Sequence, residues 1–411
     1  MYLTIPTHTW LEGRAAESYV PGSRAGGRMR IAINAAFCGQ EHTGSGQYLH
    51  RLVAQLRELA AHDELVLLSP TWVAGSPLLK VASHRLTTPF DGLSVDLAKV
   101  WFEQVAFPRA CQQQGVDLAQ VPYFAPPLHP TVPTLVTIHD LIPLLLPAYR
   151  GSALVRLYTR LVAQAAHRAA LILTDSHASR RDIIRHLRVP SDRVRVIHLA
   201  ADVAYRPIPQ GTHREAIRRK YGLPPSYFLY LGGFDQRKNV TALLQAFARI
   251  VTSCKLQVTS SEPWLVVAGR LPEEDTPFTP DPRRIAQELG IAEQVIFIGW
   301  VSEEDKPALY SGARGFIFPS QYEGFGLPPL EAMACGTPVI ASDRGSLPEV
   351  VGSGGILVSP DDVPGLAEAM RSLWEDQALR QELSERAQRQ AARFSWARAA
   401  QETLAAYREV M

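Results

Sequence analysis

The run FPSQYEGFGLPPLEAMACGTPVIAS, Phe318 to Ser342, holds the residues best suited to chemistry. Gly324 and Gly326 let main-chain amides come close to a ligand. Pro328 and Pro329 suit the first turn of a helix, where their fixed φ fits and the missing N–H has no intrahelical partner. Gly336 suits the cap at its far end. A helix N-terminus carries about half a positive charge, so loop and helix together form a site for an anion. Glu323 and Glu331 flank that site eight residues apart. Carboxylates accept hydrogen bonds from hydroxyls, so the mixture fits a ligand that carries both phosphate and sugar hydroxyls. Two glutamates at this spacing are commonplace as a loop charge and a helix-face charge; the glycine loop and helix around them set these two apart.

Three further segments carry candidates. In YLGGFDQRKNV, Tyr230–Val240, a strand ends in two glycines and a basic loop leads to a helix. No Asp-x-Asp pair stands at a strand end to recruit a metal, so Lys238 and Arg237 are placed to offset the charge of a diphosphate. The duller reading of that pair is a solvated basic patch. In TLVTIHDLIP, His139 and Asp140 lie just past the carboxyl end of a strand, the edge where open α/β sheets bind ligands. His139 can donate to a sugar hydroxyl or phosphate, or be structural; Asp140 can equally cap the next turn. In HTGSGQYLHRLV, Gly44 and Gly46 serve either a ligand loop or an ordinary tight turn. Leu49 stands where a dinucleotide fingerprint has its third glycine, which argues against a nicotinamide dehydrogenase. A nucleobase would fall against the strand ends FIGWVS, which includes Val301, and AGR, Ala268–Arg270. The Trp300 ring is expected to pack in the core rather than stack on a base.

These segments need strands to hold them. Short β-rich apolar runs alternate with helix-length amphipathic stretches throughout, the pattern of βα units and parallel sheets. The first half has strands at Arg30–Phe37, Leu65–Ser69, Thr134–Ile138 and Leu171–Asp175. After the proline-rich Tyr205–Gln210 a second series begins: Tyr227–Gly232, Trp264–Gly269, Val295–Gly299, Gly315–Pro319, Pro338–Ser342 and Ile356–Val358. Helices are expected at Gln47–Ala61, Ser152–Ala169, Val240–Val251 and Val363–Trp374, and over Leu379–Val410 with a bend at Arg393–Trp396.

At 411 residues the chain is too long for one ordinary core, and two domains follow. Residues 1–28 have no apolar signal core and are expected to be a disordered tail. No apolar run approaches the roughly 20 residues that span a bilayer. Cys38, Cys111, Cys254 and Cys335 are far apart and read as buried thiols of a reducing cytoplasm, not as a zinc ribbon or disulfide framework. The net charge is +2, but residues 29–200 hold 17 Lys and Arg against 12 Asp and Glu, and residues 201–411 hold 22 against 26. Ten arginines crowd Arg150–Arg195, either a solvated helix face or a surface for an anionic membrane or acceptor.

Taken with their setting, these segments resemble the signature of retaining glycosyltransferase family 4, whose members have the GT-B architecture of two facing Rossmann-like domains. The resemblance spans nearly all of residues 29–411. It implies an acceptor-binding domain over 29–202, a nucleotide-sugar-binding domain over 204–389, and a last helix, 390–411, that crosses back to the first domain. It further implies that Glu323 lies near the transferred sugar and that Glu331 holds ribose hydroxyls. Gly324, Phe325 and Gly326, with Leu327 at the helix start, would meet sugar and phosphate; Gly233, Arg237 and Lys238 would meet the pyrophosphate. His139, Lys238 and Glu323 form the implied catalytic set, with Asp140 beside them, Gly44 and Gly46 closing the cleft, and Val301 near the base. The family's commonest form has an arginine where this sequence has Gly233, so one phosphate contact is missing or comes from Arg237. HDLIPLL, His139–Leu145, looks like the mannosyltransferase-like branch, which favours GDP-mannose as donor, with a UDP-sugar as the alternative. The implied reaction is hexosyl transfer to a saccharide or lipid-linked acceptor without metal, cofactor or nucleic acid, at the inner face of the cell membrane if membrane contact occurs. A non-catalytic sugar-nucleotide-binding protein and a GT-B epimerase or phosphorylase are the rival readings.

Overall fold

The computed structural model describes residues 28–40, 43–73, 78, 83–256 and 262–411. The expected tail, apart from Arg28, and His42 lie outside the described residues, as does the side chain of Cys254.

Seven strands build the first sheet: β1 (Arg30–Asn34), β2 (Glu64–Pro70), β3 (Ser83–Leu86), β4 (Leu118–Val121), β5 (Thr134–Thr137), β6 (Leu171–Thr174) and β7 (Val194–Val196). Six build the second: β8 (Phe228–Leu231), β9 (Leu265–Ala268), β10 (Val295–Gly299), β11 (Gly315–Phe318), β12 (Val339–Ser342) and β13 (Gly355–Val358). The orders are β3-β2-β1-β4-β5-β6-β7 and β10-β9-β8-β11-β12-β13, with every pairing parallel. Parallel neighbours require crossovers, usually helical, and these cover both faces of a sheet. That is why central strands such as LILT (β6) and LVVA (β9) are buried along their whole length. In each sheet the order reverses beside the first strand, at β1/β4 and at β8/β11, which opens a crevice at the carboxyl ends.

All six strands expected in the second half are present, within a residue or two at their ends. The first half has three more than expected, each for a local reason. β3, SHRL, is an edge strand with two exposed residues and little apolar signal. β7, VRV, is three residues long. In β4, LAQV, Gln120 breaks the apolar run, yet it is fully buried because its amide donates to Tyr48 Oη at 3.2 Å and its carbonyl accepts from Tyr407. A buried polar group costs little once its bonds are made.

The last helix, Trp396–Glu409, is capped by Ser395 and packs on the helix Gly44–Leu59 of the first half. Its Tyr407 reaches Gln120 of β4, and Glu409 pairs with Arg195 at 2.7 Å. The chain is therefore two Rossmann-like sheets with a C-terminal helix that crosses back, the GT-B arrangement. Cys38, Cys111 and Cys335 are buried, as expected of apolar-core thiols. Among the described residues no helix is long and apolar enough to cross a membrane.

Candidate functional site

The loops after β5, β6, β8 and β11 meet between the two sheets. Ser176 Oγ, after β6, donates to Gly324 O at 2.6 Å. Ser179 Oγ reaches the same oxygen at 3.2 Å and His139 O at 2.9 Å. From the second half, Ser346 Oγ reaches Phe325 O at 2.5 Å and Glu323 O at 3.0 Å. The glycine loop is thus gripped from both sides. Gly326 takes φ +108° at the start of the helix Leu327–Ala334, and a Cβ there would also meet Leu347 at 2.8 Å. Both facts call for glycine. Phe325 is buried, with its ring 6.2 Å from that of His198 and 5.8 Å from that of Phe394.

Glu323 is the centre of charge. Its Oε1 accepts from Lys238 Nζ at 2.7 Å and from Ser320 Oγ at 2.6 Å, with Arg237 Nη1 at 2.8 Å. Burial pushes this carboxyl's pKa up, but Lys238 and Arg237 outweigh it and hold it below the ordinary carboxylate range. Lys238 and Arg237 thus share one carboxylate beside the loop. Arg237 is the more committed of the two: it also donates to Tyr322 O at 2.7 Å, lies 3.5 Å from Asp235 and sits over the Tyr149 ring. Lys238 is the cation better able to turn to a ligand.

The His139 ring is held from both sides. Nδ1 lies 2.6 Å from Asp175 Oδ2 and Nε2 lies 3.2 Å from Pro122 O, so both nitrogens face acceptors. Burial lowers the pKa of this ring, but Asp175 and then Asp140 more than reverse that, and the net shift is upward. Asp175 thus favours the charged form of the ring, and a new bond from the ring to a ligand would cost one already made. Asp140 Oδ1 accepts from Ile142 N at 3.0 Å, the capping alternative, and burial raises its pKa.

Glu331 lies deeper, with Tyr310 Oη donating to Oε2 at 3.0 Å. Burial, opposed by Lys306 and assisted by Glu303, raises its pKa to about 7. It lines a cavity of ≈ 110 Å³ with Leu327, Gln47, Tyr205, Glu303 and Trp396. Gln47 comes from the helix that Thr43 caps, its Oγ1 accepting from Gly46 N at 3.1 Å. A Cβ on Gly46 would collide with Gln40 O, whereas one on Gly44 would meet nothing within 4 Å. The first is a packing requirement and the second is not. Gly233 has room for a small side chain, with Asp235 Oδ2 3.4 Å from a Cβ placed there. Val301 is buried, while Trp300 is 63% exposed, contrary to the expectation that its ring packs in the core. It follows Gly299, whose φ of +69° turns the chain at the end of β10.

The sequence reading singled out neither Asp175 nor the serines 176, 179, 320 and 346. The signal available was a strand end followed by a serine N-cap: Ser176 closes β6 and accepts from Ser179 N at 3.0 Å. Several of the ten arginines between Arg150 and Arg195 are held by partners within the chain. Arg180 and Arg193 donate to main-chain carbonyls of their own neighbourhood, and Arg195 binds Glu409.

Residues 42–205 match the family profile Glycosyltransferase Family 4, and residues 213–390 match Glycosyl transferases group 1. The O-antigen chain mannosyltransferase B of Escherichia coli is 34% identical over 67% of this chain and 70% of its own length. The serotype-specific mannosyltransferase WbdA of Escherichia coli is 33% identical over 65% of this chain, which spans only 32% of that longer protein. HepE of Anabaena, solved in complex with UDP and glucose, shares the fold with a TM-score of 0.72 at 20% identity, over 93% of this chain and 100% of that one.

Proposed function

This chain belongs to glycosyltransferase family 4, the glycosyl transferases group 1, and we propose that it moves a mannosyl group from GDP-mannose to a hydroxyl of a saccharide or lipid-linked acceptor, with retention and without a divalent metal. The observation that carries this reading is the convergence of Lys238 and Arg237 on Glu323 beside the Gly324–Gly326 loop. Fixed cations and loop amides stabilise the diphosphate as its bond to the sugar breaks, a mainly electrostatic form of catalysis. The sugar passes through an oxocarbenium-like state. The departing phosphate oxygen takes the acceptor's proton, so attack comes from the face the leaving group occupied. The grip of Ser176 and Ser179 on Gly324 O favours a closed cleft, which keeps water from the activated sugar. Mannose is supported by the relatives' names; a UDP-sugar is the second reading, supported by the UDP that HepE holds.

The test offers GDP-mannose and UDP-glucose, each with a saccharide acceptor and EDTA, and follows nucleotide release and the anomeric configuration of the product. Acceptor-dependent release from GDP-mannose with retention is expected, and Lys238→Ala should lower it at least about 100-fold. Activity only with a UDP-sugar would replace the donor. Dependence on added magnesium or manganese, or near-normal turnover of Lys238→Ala with saturating donor, would overturn the mechanism. A sugar altered without transfer would point to an epimerase.

Peripheral contact with an anionic membrane is assigned to the first turns of the helix Ala153–Ala165. There Leu154, Val155 and Leu157 are exposed together with Arg150 and Arg156.

A further inference from the structure

His177, His198 and Glu349 each bring one ligating atom to within 4.8 Å of the others. They come from both halves of the chain. His177 opens the helix that follows β6, His198 lies just past β7, and Glu349 sits on the helix Leu347–Val351 after β12. His198 Nε2 is 2.6 Å from Glu349 Oε1, and the His177 main-chain N–H donates to both oxygens of that carboxylate, at 3.1 and 2.9 Å. Three rings set the His198 imidazole: Phe394 at 5.6 Å, Phe325 at 6.2 Å and His177 at 5.7 Å.

We propose that His177, His198 and Glu349 form a transition-metal site, suited to Zn²⁺, that ties the first half of the chain to the second. Two imidazoles and a carboxylate are the donor set zinc accepts, whereas magnesium and calcium select oxygen alone. Zinc bonds of about 2.0–2.1 Å place the ligands of a tetrahedron about 3.3 Å apart. The exposed His177 turns inward to close the widest gap, while His198 and Glu349 part by less than about 1 Å to admit the ion. Such a site would use the Nε2 lone pair of His198, with water in the fourth position. A plain His198–Glu349 hydrogen bond explains two of the three groups. It leaves unexplained a second imidazole set edge-on beside them.

The ion would not serve the transfer itself. The cluster lies against the Phe325 ring, whereas Lys238 and Arg237 gather on Glu323. Its place suits a clamp. Ser176, next to His177, holds Gly324 O, and Ser346, one turn before Glu349, holds Phe325 O. Metal across these elements fixes the glycine loop in the closed arrangement. Because this depends on no assumption about the donor, zinc binding can succeed or fail apart from the proposed reaction.

The test is calorimetric titration of the full chain with zinc sulfate alone, compared with His177→Ala, His198→Gln and Glu349→Gln, together with small-angle scattering of each. One zinc per chain is expected, bound at least about 10-fold more weakly by every variant. Zinc should reduce the radius of gyration of the natural chain and leave that of Glu349→Gln unchanged. His177 is exposed, so its replacement leaves the core intact and a loss of affinity there cannot be blamed on misfolding. No zinc uptake, or uptake unaffected by His177→Ala and His198→Gln, overturns the site. Equal affinity in Glu349→Gln overturns the clamp.

Discussion

Gly324 stands so close to His139 that a Cβ on the glycine would lie 2.5 Å from the His139 carbonyl oxygen and 2.9 Å from Asp140 Cβ. The two residues follow β11 and β5, in different sheets, so this contact sets how near the halves of the cleft can approach. The glycine is demanded by its neighbour across the cleft, since its own φ is not in the left-handed region.

Gly324→Ala should therefore act on the cleft more than on either core. Overpacking of this kind costs about 1–3 kcal/mol when the surroundings cannot move. Here the halves can separate instead, so only a small change in melting temperature is expected. Transfer should fall at least 10-fold, because a displacement of about 1 Å at a reacting centre costs up to about 100-fold. Steady-state turnover and a melting curve decide the matter, and natural turnover in the variant would mean that the contact does not persist in the working enzyme.

Glu331 gives a pH dependence whose sign is fixed by burial. Its pKa in the folded chain, about 7, lies above the ordinary 4.5, so the folded state binds the proton more tightly than the unfolded state. The stability this group contributes is full below pH 4.5, declines as pH rises, and is lost above about 7. Glu331→Gln removes the titration while keeping a partner for Tyr310. The variant should melt at the same temperature as the natural chain near pH 5 and higher at pH 8, by an amount equivalent to at most about 3 kcal/mol. Parallel melting profiles across that range would show that Glu331 is ionised throughout.

The strands of the second half were legible because each is a short apolar run between glycine or proline breaks, with the chemistry at its carboxyl end. The loop Gly324–Gly326 and the cations Arg237 and Lys238 could be read for the same reason, since a backbone that must come close to an anion needs glycines and charge in one place. Gln120 and Trp300 were not. A glutamine enters a buried strand only because Tyr48 and Tyr407, 72 and 287 residues away, supply its bonds, and no local window contains them. Trp300 stays exposed because the chain turns at Gly299, which outweighs the usual preference of its type. The partners of the His139 ring were hidden for the first of these reasons: Asp175 and Pro122, which face its nitrogens, are 36 and 17 residues away.

The proposed membrane contact can be separated from mere basicity. Leu154 is 77% exposed and Leu157 is 63% exposed, in a stretch whose residues 151–157 are all exposed. Lys99 of the helix Val95–Trp101 donates to Tyr158 at 3.4 Å, which ties that helix to this one. Apolar side chains flanked by arginines match a headgroup region, where burial of the former and attraction of the latter add, at about 1 kcal/mol for each basic residue near an anionic surface. Co-sedimentation should therefore recover more protein with vesicles rich in acidic lipid than with neutral ones. Salt should weaken that preference, and Leu154→Glu with Leu157→Glu should remove most of the binding at low salt as well, whereas a purely electrostatic contact would lose only part. Equal recovery on neutral and acidic vesicles would leave this face without a membrane role, and the catalytic reading, which rests on Glu323 and its two cations, would stand unchanged.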